Sequence, residues 1–85
     1  MTFIERYQIA ETWQEKALVM SLYHLAASER KDWTIKKTAL VFGVSIGLAS
    51  ENIKLANAID SGSHVINCKT RQEALTKLER KRYVS

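Results

Sequence analysis

Between Thr34 and Lys54 the chain carries side chains suited to gripping a polyanion and reading the edges of flat heterocycles. Lys36 and Lys37 supply fixed positive charge. Thr34 and Ser45 supply hydroxyls beside helix starts, whose free amides suit a phosphate oxygen. Farther along, Ser45, Gly47, Ser50, Glu51 and Lys54 form a polar, small-residue group. Lys54 can donate to guanine O6 or N7, Glu51 can accept from a cytosine amino group, and Gly47 and Ser50 allow a backbone to approach closely. Affinity for duplex DNA comes mainly from cations near phosphates, and sequence choice from base-edge contacts. The residues therefore divide into phosphate candidates (Thr34, Lys36, Lys37) and base-reading candidates (Ser45, Gly47, Ser50, Glu51, Lys54). Glu51 and Lys54, three apart on a helix, also suit a surface ion pair worth about 0.2–0.5 kcal/mol. Near the C-terminus, Arg80, Lys81 and Arg82 with Lys77 form either a further phosphate clamp or a solvated helix end, and the same alternatives apply to Lys69 and Arg71.

Other chemistry finds no residue set. His64 and Cys68 stand four apart, but two ligands do not make a structural zinc site. Cys68 reads as a small hydrophobe, and His24 has no evident carboxylate or nucleophile partner. No Ser-His-Asp arrangement or pair of carboxylates is placed for catalysis, so no enzyme, metal or cofactor is expected. The two Trp and three Tyr read as core and rim residues rather than a stacking platform for single strands.

Two short helices must position the candidates. The pattern predicts one from about Ile35 to Phe42 and another from about Ile46 to Ile59, capped by Thr34 and Ser45. Gly43 suits the left-handed turn between them, Ala39 leaves room for their close approach, and Val44 plugs the corner. On a wheel of about 100° per residue, Leu48, Ala49, Ile53, Leu55, Ala56 and Ile59 fall on one side of the second helix. Gly47, Ser50, Glu51, Lys54 and, at the rim, Asn57 fall opposite. Ile46 lies on the boundary and either packs inward or touches a thymine methyl. Asn52 lies among apolar neighbours and is expected to bond a nearby backbone group. The spacing is that of a helix-turn-helix whose second helix enters the major groove.

The tract from Trp33 to Ala56, with its Trp-Thr-Ile-Lys-Lys-Thr-Ala, Phe-Gly-Val-Ser and Ser-Glu-Asn-Ile-Lys-Leu-Ala segments, resembles the helix-turn-helix of ParB/KorB-like DNA-binding proteins of phages and plasmids. Thr70 to Leu78 is similar to the short helix that often follows it. The resemblance implies a groove-reading helix over Ser45 to Ala58 and a supporting helix over Thr34 to Phe42. Full partition proteins of that family also carry a nucleotide-binding region and a dimerising tail. This sequence has no room for them and no glycine-rich phosphate loop, so cytidine triphosphate switching does not carry over.

Composition fits the same picture. With 85 residues, 46% hydrophobic content, no Pro and three Gly, the chain suits one all-α domain, a bundle of four to five helices. Its parts are N-terminal helices over 1–29, the helix-turn-helix over 33–59 and a C-terminal helix over 70–82. Thr2-Phe-Ile-Glu5, Thr12-Trp-Gln-Glu15 and Thr70-Arg-Gln-Glu73 have the form of capping boxes, predicting a short helix or an extended arm from about Phe3 to Ala10, and helices from about Trp13 to Ser28 and from Thr70 to about Lys81. The Trp13–Ser28 helix is apolar on two sides: Leu18, Leu22, Leu25 and Ala26 on one, Trp13, Ala17, Met20 and Ala27 on the other. One side should pack on the helix-turn-helix. The other should meet Phe3, Ile4, Tyr7 and Ile9, or a second copy. His64 to Cys68 carries no clear secondary-structure signal.

The formal charge of +4 is uneven: residues 1–29 sum to −2 and residues 30–85 to +6. The cationic part carries the motif. A single cysteine and no signal peptide or spanning segment suggest a bacterial cytoplasm, including that of a phage-infected host. The expected partner is double-stranded DNA, met as a homodimer or as one domain of a larger replication, partition or nuclease protein, with no membrane involved. The alternative is a helical protein–protein interaction module that does not read DNA.

Overall fold

Hydroxyl caps set where most of the helices begin. In the computed structural model, which describes the backbone from Thr2 to Val84 and side chains from Thr2 to Leu78, the helices are α1 (Phe3–Ile9), α2 (Trp13–Ala27), α3 (Ile35–Phe42), α4 (Ile46–Asp60) and α5 (Arg71–Val84). A single 3-10 turn, His64–Asn67, lies between α4 and α5, and there is no strand among the described residues. The fold is all-α, as composition predicts. Thr2, Thr12, Ser45 and Thr70 each accept from the amide three residues on, at 3.1–3.2 Å. In three of the four that amide belongs to a Glu, whose carboxylate also favours the positive end of the helix.

Thr34 departs from this rule and corrects the predicted cap. Its carbonyl accepts from Lys37 and Thr38, yet its hydroxyl bonds no amide. The residue is exposed, so water can serve both the hydroxyl and the first-turn amides of α3.

Two glycines end helices by one device. Gly43 adopts φ 68°, and the Val44 amide reaches back to the Ala39 carbonyl at 3.0 Å. Gly62 adopts φ 82°, and the Ser63 amide reaches the Ala58 carbonyl at 3.0 Å. Both satisfy carbonyls that the helix end would otherwise leave open. The left-handed backbone suits glycine in each place.

The interior has two lobes joined by α2 and α4. One contains Ala17 of α2, Leu55 and Ala56 of α4, Val65 and Cys68 of the connection, and Ala74 and Leu75 of α5. The other contains Met20 of α2, Ala39 of α3 and Ala49 of α4, edged by Tyr7, Ile35, Phe42, Val44 and Leu48. The small residues Ala39 and Ala49, both buried, let α3 and α4 approach closely. The connection after α4 is tied down by α2: Trp13 Nε1 donates to the Cys68 carbonyl at 2.9 Å, and Gln14 Nε2 donates to the Ile66 carbonyl at 2.7 Å. Those partners lie more than fifty residues away in sequence, which is why no local signal marks the segment.

Of the two apolar sides predicted on α2, the one with Ala17 and Met20 enters both lobes, and Val19 is buried as well. The Leu18–Leu22–Leu25 side faces an open groove, with Leu22 at 50% and Leu25 at 68% exposure. α1 does not cover it. Its Phe3 and Tyr7 instead join Tyr23, Trp33 and Phe42 in a chain of edge-to-face rings, with centroids 5.2–6.1 Å apart. No single helix among the described residues is long and apolar enough to cross a membrane.

Candidate nucleic-acid interface

The corner between α3 and α4 consists of Gly43, Val44 and Ser45, and the helix axes turn by 103° across it. Val44 plugs the inside of the corner against the Met20–Ala39–Ala49 lobe. The start of α3 is held from behind: Trp33 packs edge-to-face on Tyr23, and its Nε1 donates to the buried Thr38 Oγ1 at 2.8 Å. His24 Nδ1 lies 2.7 Å from the same Thr38 oxygen. His24, unpartnered in the sequence reading, is thus a packing residue that joins α2 to α3.

With the corner fixed, α4 turns one flank outward. Ser45, Ile46, Gly47, Ser50 and Asn57 are exposed, while Glu51 and Lys54 are half-buried along one edge. The inward flank holds Ala49, Asn52, Leu55 and Ala56, all buried. Ile53, expected with the inward set, is half-buried and lines the α2–α4 groove beside Leu18, Leu22 and Leu25. The position beside α2 that the wheel assigned to the core is therefore left partly open.

The base-reading candidates do not behave alike. Ser45, Gly47 and Ser50 stand on the open flank, Ser45 also capping α4. A Cβ on Gly47 would meet nothing within 4 Å, so the fold itself gives no reason for glycine there. Glu51 pairs with Arg71 of α5, Oε1 to Nη2, at 2.5 Å rather than with Lys54. Neither Lys36 nor Lys54 forms an ion pair among the described residues.

Arg71 also settles the question of Asn52. Its Nε donates to Asn52 Oδ1 at 2.9 Å, while Asn52 Nδ2 points at the Met20 sulfur, 3.6 Å away. The expected backbone partner is replaced by side chains, because α5 brings a guanidinium to a helix position whose own backbone is already bonded. One arginine thus ties α5 to two consecutive residues of α4.

Among the phosphate candidates, Thr34 and Lys36 are exposed at the start of α3. Lys37 is engaged nearby. Its ammonium donates to the Asp32 carbonyl at 2.9 Å, lies 3.3 Å from Asp32 Oδ2, and stands 5.8 Å from the Trp33 ring centroid. The hydrogen bond from Lys37 holds the Asp32 carboxyl below its usual range, helped by the residue's own backbone and the lysine's charge. The side chains of Arg80, Lys81 and Arg82 lie outside the described residues, so the C-terminal clamp has no geometry here. No group of three His, Cys, Asp or Glu that could hold a metal occurs among the described residues, and Cys68 is buried.

Compared with family models, with curated proteins and with solved structures, the chain matches none.

Proposed function

We propose that the chain binds double-stranded DNA sequence-specifically, laying the outward flank of α4 in the major groove with α3 across the backbone. In the cell it would serve as a phage- or plasmid-type regulator, or as the site-recognition domain of a larger replication, partition or nuclease protein. The observation that carries the reading is the corner: a three-residue turn with left-handed Gly43 and a 103° change of axis. Helix-turn-helix pairs cross at about 90–120° through such a turn. The flank it exposes is small and polar, with Lys36 at the start of the helix behind it. Thr34 and Lys36 meet phosphates, Lys37 adds to them only when released from Asp32, and Ser45, Gly47, Ser50 and Lys54 face base edges. Glu51, tied to Arg71, sets the position of the helix more than it reads cytosine.

Fluorescence anisotropy with labelled random duplex tests this directly. Binding should be micromolar or weaker, fall steeply with salt, and be much tighter for a site selected from a random pool. Lys36→Ala should weaken binding to all sequences and reduce the salt slope by about one, whereas Lys54→Ala should change the preferred sequence. A salt-independent signal, or none at low salt, rules the proposal out.

The groove between α2 and α4 favours one other reading. Leu18, Leu22, Leu25 and Ile53 give it an apolar floor beside Ser21, His24, Asn57 and Asp60, and no cation lines it to meet a phosphate. A protein-interaction module that keeps this scaffold without reading DNA would show that groove and give no duplex binding at any salt concentration.

A further inference from the structure

At the corner itself lies a cleft of about 260 Å³ lined by Lys36, Ala39, Leu40, Val44, Ser45 and Ile46. Its character is unlike the polar flank beside it. Leu40, on the last turn of α3, is 81% exposed, and Ile46, the first residue of α4, is 48% exposed. Neither belongs to either buried lobe, and Ala39 and Val44 form an apolar floor between them. No carboxylate lines the cleft, and its single charge is the Lys36 ammonium.

Two branched aliphatic walls and an apolar floor suit an apolar group, and one cation at the rim suits an anion near that group. A duplex offers both at a thymine: its C5-methyl projects into the major groove within a backbone of phosphates. Guanine, cytosine and adenine present no methyl there. Ile46 immediately follows the cap of α4, the end of the helix that leads into the groove when a helix-turn-helix docks. We infer that this cleft is a thymine-methyl subsite, with Ile46 as its wall on α4 and Lys36 on the neighbouring backbone. The inference rests on the duplex-binding reading and adds to it one base and the group on that base that is recognised.

The test removes the methyl from the DNA rather than only the side chain from the protein. A duplex selected by the full chain from a random pool is remade with each thymine in turn replaced by uracil, which deletes the methyl and keeps every hydrogen-bonding edge. Anisotropy should show one replacement that weakens binding about fourfold, the scale of one buried methyl group. With Ile46→Ala that same replacement should change affinity less than about 1.5-fold, a residue difference well below what one buried methyl contributes. Because Ile46 is half-exposed and alanine is the better helix former, the variant keeps its fold, checked by circular dichroism. The inference alone is overturned if duplex binding is salt-dependent and selective but no uracil replacement matters, or if the sensitivity survives in Ile46→Ala. Loss of all salt-dependent duplex binding in the parent chain overturns the function itself and this subsite with it, and would leave the Leu40–Ile46 surface as a contact for a protein.

Discussion

Asn52 is an amide on the inward flank of α4, 2% exposed, and its stability depends on a residue nineteen positions away. Its oxygen is well served by Arg71, but its nitrogen has only a thioether, a weak acceptor. The pair is therefore asymmetric, because Arg71 retains some contact with water and Asn52 has almost none. Arg71→Met, which keeps the bulk and strands the amide oxygen, should cost about 1–3 kcal/mol in urea unfolding. Adding Asn52→Leu removes the stranded group, so the double variant should be more stable than Arg71→Met alone. If the double variant is the weaker, Asn52 matters through packing and not through its bond. Lys37 and Asp32 make a different case, because both are exposed and the pair adds little to stability. The Asp32 carboxyl is depressed, so its pairing is present above the ordinary 3.8 and is lost only as pH falls through the lowered value. At neutral pH Lys37 thus stays engaged. Asp32→Asn removes the carboxylate but keeps the Asp32 carbonyl and the Trp33 ring as partners, so it should loosen Lys37, tighten random-duplex binding and steepen the salt slope by up to about one. An unchanged slope would remove Lys37 from the phosphate contacts.

At the scale of elements, the sequence was most informative where one residue determines its own neighbourhood. Ser45 and Gly43 bracket the corner, and the predicted Ile35–Phe42 helix is the one observed. Gly43 has nothing within 4 Å of a would-be Cβ, so Gly43→Ala tests backbone strain alone and should cost about 1–2 kcal/mol in thermal or urea melts. Gly47 looks similar and predicts the opposite. It sits in the first turn of α4 at ordinary helical φ with open space around it. Gly47→Ala should therefore stabilise the fold by about 0.5–1 kcal/mol. A glycine kept at that cost is explained by something outside the fold, and the duplex reading supplies it: the added methyl should weaken binding to a selected site. A variant that is both more stable and equally tight would leave Gly47 without a role in recognition. What the sequence did not reveal was which side of α2 would be covered. Both sides are apolar, and the choice depends on where the rings of Phe3, Tyr7, Tyr23, Trp33 and Phe42 meet, a matter of tertiary packing with no period along the chain. The tie from Arg71 to Glu51 and Asn52 was hidden for the same reason.

At the scale of the whole molecule, the candidate flank depends on a core in two lobes, and neither is large. Met20, Ala39 and Ala49 form the fully buried centre of the lobe beneath the corner, and the larger Tyr7, Ile35, Phe42, Val44 and Leu48 packed around them are only partly buried, so the lobe's own burial of apolar surface is modest. The second lobe, around Leu55 and Val65, has to support it through α2 and α4, which run through both. That continuity predicts a single cooperative transition. The two tryptophans can report on it separately, since Trp13 packs on the Leu55 lobe and Trp33 lies in the ring cluster behind α3. In Trp13→Phe and in Trp33→Phe, the urea midpoint read from the remaining indole should coincide with the midpoint read by circular dichroism on the same variant. Leu55→Ala, in the lobe away from the corner, should cost about 2–5 kcal/mol and shift the Trp33 signal as far as the Trp13 signal. Were Trp33 to report an earlier transition untouched by Leu55→Ala, the corner would be a separately melting unit. A base-reading flank on it would then have to be ordered by the DNA, and the fixed geometry of Ser45, Gly47 and Ser50 would no longer account for sequence choice.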